Sequence, residues 1–220
     1  RAWDLLRAAY DEMRDALAGR NYVADYVQTL THEVKSPLSA IRGAAELLQE
    51  PMEEAQRQRF LGNIQRETQR IQEMVDRMLE LTTLETRRVL DAVQSVALLP
   101  LLDELAHASQ SVAARRQVRI QVVANTDATV EADPFLLRRA VSNLLDNALD
   151  FSHEGGLVEL GLHLEGRWVC ITVRDQGSGI PAYAQDKVFE KFYSLERAHS
   201  RKKSTGLGLS FVKEIASLHR

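Results

Sequence analysis

The sequence has little of several features that would assign a protein class at once. Its 220 residues include one cysteine, Cys170, and only five prolines, and no apolar run approaches the roughly 18 residues of a membrane span. A single cysteine excludes a disulfide framework and argues against a metal cluster; it lies in an alternating apolar run that is typical of a buried strand. The formal net charge is −3, so electrostatics do not favour nucleic acid as a direct partner.

The first ninety or so residues have helical periodicity instead. Apolar residues recur every three or four positions in three stretches, Trp3 to Leu17, Val27 to Leu48 and Phe60 to Leu81. Glu50-Pro51 ends the middle stretch, because a residue before proline is pushed away from helical geometry. The pattern predicts a helical hairpin whose second helix runs from about Ala55 to Arg88. Neither helix can bury its apolar stripe alone, which favours a dimer with a four-helix bundle.

After residue 90 the helical period gives way to mixed signals. Asp133-Pro134 is a strong helix start, with Asp as the cap and Pro in the first helical position. Strands mixed with helices, one β-hairpin included, indicate an α+β sandwich. The predicted elements are a helix over Leu99–Arg115, strands over Val118–Val122 and Thr129–Ala132, a helix over Pro134–Phe151, strands over Leu157–Leu164 and Trp168–Val173, and a last helix from about Leu207.

The stretch from Thr31 to Leu38 carries a histidine on the polar side of its helix. His32 falls on the face turned away from the apolar seam, and Glu33 lies beside it, able to orient the ring or take its proton. Ser36 follows one turn later on the same face. Pro37 removes a backbone donor and is expected to kink or loosen the helix. A histidine in such a position is usually just solvated, so its importance depends on the rest of the chain.

Two motifs in the second half have the chemistry of a nucleotide site. Asn143 and Asn147 lie four residues apart and share one helix face, where neutral amides can coordinate Mg²⁺ or hydrogen-bond phosphates. Asp175 ends a strand and can accept a hydrogen bond from an exocyclic amine, while Gly177 and Gly179 let the backbone approach a flat ring. Taken singly, the asparagines could be surface residues and the glycines a hairpin turn.

A third motif, Thr205 to Gly208, opens the last helix, where free N–H groups and the helix dipole favour phosphate. It lacks the residues of a P-loop or of a Rossmann turn. The loop before it is basic, and such a loop is either a solvated surface segment or a mobile phosphate lid. Its cationic residues are Arg197, Arg201, Lys202 and Lys203.

Taken in order over nearly the whole chain, the motifs resemble those of two-component sensor histidine kinases. The similar segments are the phosphoacceptor box (Thr31–Leu38), the N box (Asn143–Asn147), the first glycine box (Asp175–Gly179), the F box (Phe189–Tyr193) and the second glycine box (Gly206–Leu209). Within the family, the runs from Tyr26 to Ala45 and from Asn143 to Phe151 resemble inner-membrane sensor kinases.

The resemblance implies a role for each matching residue. His32 would attack the γ-phosphate of ATP, Glu33 would hydrogen-bond its other ring nitrogen as general base, and Ser36 could orient water for dephosphorylation. Asn147 and Asn143 would hold Mg²⁺, and Asp175 would contact the adenine amine. The residues implied in ATP binding are Asn143, Asn147, Asp175, Gly177, Gly179, Phe189, Phe192, Arg197, Thr205, Gly206, Leu207 and Gly208.

The resemblance also implies an organisation. Residues 1–22 would be a membrane-proximal helix at the end of a HAMP linker, 23–90 the dimerisation and phosphotransfer hairpin, and 91–220 an ATP-binding domain of the GHKL or Bergerat type, truncated at its C-terminal end. The implied activity is ATP-dependent autophosphorylation of histidine, then transfer to an aspartate of a response regulator. The implied partners are a second copy of the chain and a cytoplasmic receiver domain, with membrane attachment only through upstream segments. Whether phosphorylation is in cis or in trans stays open.

Some residues depart from the family pattern. Asp150 stands where many relatives carry a phosphate-contacting lysine, Ser194 replaces an arginine, and Lys203-Ser204 replaces a glycine pair. A phosphatase-only or scaffold module with a degenerate ATP site is therefore one alternative. Another is an ATPase of the gyrase and Hsp90 type, although such enzymes carry a glutamate where this chain has Asn143. A purely structural bundle would leave Asp175 to Gly208 unexplained.

Overall fold

The computed structural model describes residues 30, 31, 33–87, 89–195 and 206–219. The chain divides into two compact units, Arg1–Met78 and Leu79–Arg220, so one long helix begins in the first unit and ends in the second. Within the described part of the chain, no helix combines the length and the hydropathy that crossing a membrane would need.

The first unit contains a helical hairpin. Helix α1 comprises the described residues 30, 31 and 33–47, and helix α2 extends over Glu54–Thr86, close to its predicted bounds. Ala44 and Met74, both from the predicted seams, are buried. Pro37 is also buried, and the residues on both sides of it are helical, so the proline does not end α1.

The second unit holds the last turns of α2 and a mixed set of helices and strands. The long helix predicted over Leu99–Arg115 is interrupted at Ser109, which separates two shorter helices. The remaining elements are β1 (Gln94–Ala97), α3 (Leu98–Ala108), α4 (Gln110–Arg115), β2 (Arg119–Ala124), β3 (Thr129–Ala132), α5 (Pro134–Phe151), β4 (Leu157–Glu165), β5 (Trp168–Arg174), a short 3-10 turn (Ala182–Ala184) and α6 (Gly208–Leu218).

The strands form two small sheets. β1 pairs with β3 in an antiparallel ribbon, while the second sheet has the order β2-β4-β5. In that sheet β2 is parallel to β4, and β4 is antiparallel to β5. The sequence did not predict β1, because it is four residues long with one buried side chain, Val96, and its partner lies more than thirty positions away.

One face of the three-stranded sheet packs against helices. Burial alternates along β4, with Val158, Leu160 and Leu162 buried. Leu162 belongs to a core cluster with α3 and with Val141 of α5, and Leu160 belongs to a second cluster with Leu145 of α5. Side chains two residues apart on a strand point to the same face of the sheet. The apolar alternation predicted from the sequence of β4 therefore identifies the face that packs against the helices. The α+β two-layer arrangement is confirmed.

Helix α5 is fixed at its start. Asp133 caps it as predicted, its Oδ1 accepting hydrogen bonds from the backbone N–H groups of Phe135 and Leu136 at 3.0 and 3.1 Å. The backbone N–H of Asp133 donates to Nε2 of His219, just beyond α6, at 3.1 Å. The start of α5 is thereby tied to the end of α6, and these two helices carry most of the candidate site.

Candidate nucleotide site and phosphoacceptor helix

The candidate site is built on one face of α5. Asn143, Asn147 and Phe151 follow one another at intervals of four residues, so they lie along the same side of the helix. The first residue of α6, Gly208, lies against the two amides: a Cβ added there would be 3.8 Å from Oδ1 of Asn143 and 3.9 Å from Nδ2 of Asn147. The N-terminus of α6 therefore faces the two asparagines, and the N box and the second glycine box meet.

Asn143 has a donor that the protein does not use. Its Nδ2 atom is buried, and within the described part of the chain it has no hydrogen-bond partner. Leaving such a group unsatisfied costs about 1–3 kcal/mol, so a buried orphan donor calls for a partner. Phosphate oxygens are strong acceptors, and the start of a helix supplies further N–H donors and a favourable dipole. The two amides and the start of α6 fit a bound phosphate group.

The turn after β5 closes onto the other end of α5. The Asp175 carboxylate accepts a hydrogen bond from the backbone N–H of Gly177 at 2.8 Å, and the residue itself is exposed. A Cβ added at Gly177 would lie 2.4 Å from the backbone oxygen of Phe151, so only glycine allows this approach. Gly179 has φ +69°, in the left-handed region. The first glycine box and the N box are thus brought together by close backbone contact.

The two ends of the basic loop also meet. The backbone N–H of Phe192 donates to the oxygen of Gly206 at 2.8 Å, and both residues have positive φ, +62° and +64°. A Cβ at Gly206 would lie 2.4 Å from the carbonyl carbon of Phe192. Phe192 and Leu207 are buried, whereas Phe189 is 43% exposed, so of the two phenylalanines predicted as anchors the structure buries one. Arg197 and Thr205 lie outside the described residues.

Two residues that the sequence predicted beside the phosphoacceptor position, Glu33 and Ser36, lie on α1 in the first unit. Glu33 is half-buried and Ser36 is exposed, so the serine hydroxyl is open to solvent as its helical position predicted. His32 lies outside the described residues.

Asp150, which departs from the family pattern, has a partner inside the domain. Its carboxylate forms a close ion pair with the guanidinium of Arg116, which follows α4, and Arg116 also contacts the backbone oxygens of Leu149 and Asp150 at 3.4 Å. A cation therefore offsets its negative charge, and the residue holds the end of α5 to the segment after α4.

Two ion pairs at the end of α2 were not predicted. Nζ of Lys191, in the F box, lies 2.6 Å from both carboxylate oxygens of Glu85, and the side chains are only 11% and 23% exposed. One turn earlier, Arg139 of α5 contacts Glu80 at 2.6 Å, and its guanidinium also lies 5.4 Å from the centre of the Phe211 ring in α6. Both pairs belong to the second unit, where they join the end of α2 to the elements that carry the site.

Cys170 is half-buried on β5, more accessible than its apolar sequence context suggested. Burial raises the pKa of its thiol, and the nearby Glu165 carboxylate raises that pKa further. This cysteine lies on the β4–β5 hairpin and is not part of the nucleotide motifs.

The sequence matches two family models. Residues 23–87 match the His Kinase A (phospho-acceptor) domain, and residues 132–220 match the histidine kinase-, DNA gyrase B- and HSP90-like ATPase domain. A phosphoacceptor hairpin followed by such an ATPase domain is the arrangement that the motifs implied. The chain belongs to the two-component sensor histidine kinases, and the predicted fold class is confirmed.

Individual proteins agree with this assignment. The chain is 44% identical to the sensor protein CreC of Escherichia coli strain K12 over 215 residues, 97% of this chain and 44% of CreC, which confirms the expected resemblance to sensor kinases. Histidine kinase ThkA in complex with the response regulator TrrA has a TM-score of 0.69 at 20% identity, covering 84% of this chain and 55% of that one. Full-length ShkA in complex with AMPPNP has a TM-score of 0.63 at 24% identity, and the match covers 88% of this chain and 41% of the ShkA chain. The chain spans about half the length of the curated relatives it matches.

We predict that the Glu85 ion pair contributes measurably to the stability of the second unit. Glu85→Gln should lower the free energy of unfolding by about 2 kcal/mol, because it removes the carboxylate charge that lies against the largely buried Lys191 ammonium. The matched control is Glu104→Gln, which removes a pair with Arg138 of similar length, 2.7 Å, but with Glu104 64% exposed. The control should lose less than about 1 kcal/mol of its free energy of unfolding.

Urea unfolding, followed by the fluorescence of Trp168 in a Trp3→Phe background, would measure the free energy of unfolding of both variants. Equal losses in the two variants would contradict the prediction.

Proposed function

We propose that this chain is the catalytic part of a sensor kinase that phosphorylates its own His32 with ATP and then passes the phosphoryl group to an aspartate of a response regulator. The observation that carries this proposal is the convergence on α5: the amides of Asn143 and Asn147 face the start of α6 at Gly208, and Asn143 has a buried donor with no described protein partner. The two domain matches support the same activity.

Each part of the nucleotide has a proposed set of contacts. The phosphates would lie between α5 and the start of α6, with Gly206, Leu207 and Gly208 offering backbone donors. The exposed Asp175 would accept a hydrogen bond from the adenine amine, and Gly177 and Gly179 would line the ring. Phe192 anchors one end of the loop, and Phe189, Arg197 and Thr205 would close over the nucleotide. ShkA, a structural relative, is known as a complex with AMPPNP, an ATP analogue.

We propose Mg²⁺ as the metal of this site, held through the amide oxygens of Asn147 and Asn143. Neutral oxygens of this kind suit a hard cation that shares its coordination with phosphates. Bound there, the ion would neutralise charge on the phosphates.

The transfer itself needs little from the protein beyond placement. A ring nitrogen of His32 attacks the γ-phosphorus, an N–P bond forms, the bond to the bridging oxygen breaks, and ADP leaves with that electron pair. Glu33 hydrogen-bonds the other ring nitrogen and takes up its proton as the ring becomes positive. The Glu33 carboxylate, one position after His32 in the sequence, would thereby hold the imidazole in one tautomer.

We further propose the boundaries 1–22, 23–90 and 91–220 for the linker, the dimerisation hairpin and the ATP domain. The half-buried seams of α1 and α2 support a homodimer through the hairpin, since two such helices leave apolar surface exposed, Leu38, Leu47 and Leu61 among it. The structural likeness to ThkA, which was solved with the regulator TrrA, supports a receiver domain as partner. We also propose a cytoplasmic position below an inner-membrane anchor, as the motifs' resemblance to inner-membrane sensor kinases implies.

Labelling with γ-labelled ATP and Mg²⁺ tests the acceptor. We expect an acid-labile, base-stable label on the wild-type chain, because acid cleaves a phosphoramidate and base does not, and no label on His32→Gln, because that variant lacks the acceptor nitrogen. His153→Gln, which changes an exposed histidine after α5, is the matched control and should label normally. Label that persists on His32→Gln, or that survives acid, would overturn the assignment.

Gly208→Ala should separate nucleotide binding from folding. The added methyl group would be 3.8 Å from Oδ1 of Asn143, an ordinary contact, so the fold should tolerate it. Alanine also favours helix over glycine by about 1 kcal/mol. The methyl group would, however, occupy the space proposed for phosphate, so the affinity for an ATP analogue with Mg²⁺ should fall at least about tenfold by titration calorimetry, with no loss in melting temperature.

The matched control for this substitution is Gly43→Ala on α1, where an added Cβ meets nothing within 4 Å. That variant should bind the analogue like the wild type. Unchanged affinity in Gly208→Ala would place the phosphates elsewhere.

Ser36 is proposed to orient water for dephosphorylation of the regulator, since its hydroxyl is exposed one turn from the acceptor position. Ser36→Ala should slow loss of phosphate from a phosphorylated regulator while leaving autophosphorylation of His32 unchanged. Ser39→Ala, at a neighbouring exposed position of α1, is the control. Normal dephosphorylation by Ser36→Ala would exclude the role.

A further inference from the structure

The β4–β5 hairpin gathers three side chains with different donor atoms, outside the nucleotide site. The three side chains are those of His163, which offers a ring nitrogen, Glu165, which offers a carboxylate oxygen, and Cys170, which offers its sulfur. These three atoms all lie within 4.8 Å of one another. His163 and Cys170 are half-buried, and Glu165 is exposed. The sequence favoured no metal cluster because it has one cysteine, but a site of mixed chemistry needs only one.

The hairpin geometry explains why the three donors meet. The turn at Gly166, with φ +60°, sets the register so that His163 lies opposite Cys170 and Glu165 lies opposite Trp168. His163 and Glu165 are two residues apart on β4, so they share a face with the side chain opposite His163. That face is the one turned away from the helices, because Leu162, the neighbour of His163 on β4, points the opposite way and belongs to the core.

The separations are close to those of a coordinated ion. Sγ of Cys170 already lies 3.6 Å from Oε2 of Glu165. Ligands around a tetrahedral zinc ion are about 3.5 Å apart, given metal–ligand distances of about 2.0–2.3 Å. Small side-chain rotations would therefore bring all three atoms into one coordination sphere, without a change in the strands that carry them.

We propose that His163, Glu165 and Cys170 form a three-ligand site for Zn²⁺. The donor set of imidazole, carboxylate and thiolate suits zinc, and a hard cation such as Mg²⁺ would not choose the sulfur. Three protein ligands leave a fourth tetrahedral position for water, because Glu165 lies at the exposed edge of the group. The site is independent of the phosphoryl chemistry, since none of its ligands is among the proposed nucleotide or acceptor residues.

Cobalt titration of the reduced 220-residue chain tests the site, with Co²⁺ as the spectroscopic substitute for zinc. A sulfur-to-cobalt charge-transfer band should appear and saturate at one equivalent, and Zn²⁺ should abolish it. Because Cys170 is the one cysteine of the sequence, that band reports on this residue alone. Three variants, Cys170→Ser, His163→Asn and Glu165→Gln, should each weaken Zn²⁺ binding at least about tenfold in calorimetry. Losing even a group that only hydrogen-bonds a metal ligand costs about 10–100-fold in affinity.

Glu159→Gln is the matched control, because Glu159 lies on the same face of β4 but opposite Arg174. It should bind zinc like the wild type, and circular dichroism should confirm that all variants are folded. Cobalt binding without the sulfur band would place the ion on other residues and overturn the proposal. So would the absence of saturable binding, or equal zinc affinity in the wild type and the three ligand variants.

Discussion

The candidate nucleotide site depends on how closely two loops approach one face of α5. At one end the backbone at Gly177 touches the carbonyl of Phe151, and at the other the start of α6 at Gly208 meets the amides of Asn143 and Asn147. At Gly177 the approach leaves no room for a side chain, whereas the space beside Gly208 would admit a methyl group and is the space proposed for phosphate. The helix supplies the polar groups, and the glycines determine what reaches them.

The position of α5 is itself secured from several directions. Its start is capped by Asp133 and tied to His219 after α6, and its end is held through the ion pair of Asp150 with Arg116. Arg139, in its first half, contacts Glu80 near the end of α2, while Lys191 of the F box contacts Glu85 one turn further on. The last turns of α2 therefore share charged contacts with two of the elements that form the site. A displacement of this end of α2 would therefore disturb its contacts with α5 and with the F box at the same time.

The three-stranded sheet has different chemistry on its two faces. Leu160 and Leu162 point to the helices and fill the core that supports α5. The other face of β4 carries Glu165 and His163, and His163 lies opposite Cys170 of β5. Strand alternation thus separates the packing that positions the nucleotide site from the side chains proposed to bind zinc.

The sequence by itself determined the features that a few neighbouring residues encode. The cap at Asp133, the amphipathic stripes of α1 and α2, the alternation along β4 and the order of the motifs are of this kind, because caps, periodicity and glycine conformations are local. Tertiary structure decided the rest: the break at Ser109, the pairing of β1 with β3, and which of Phe189 and Phe192 is buried. It also brought Lys191 to Glu85, 106 positions away, and Cys170 to His163. A contact between distant residues depends on strand register and on how helices pack, and neither is written in the spacing of residues along the chain.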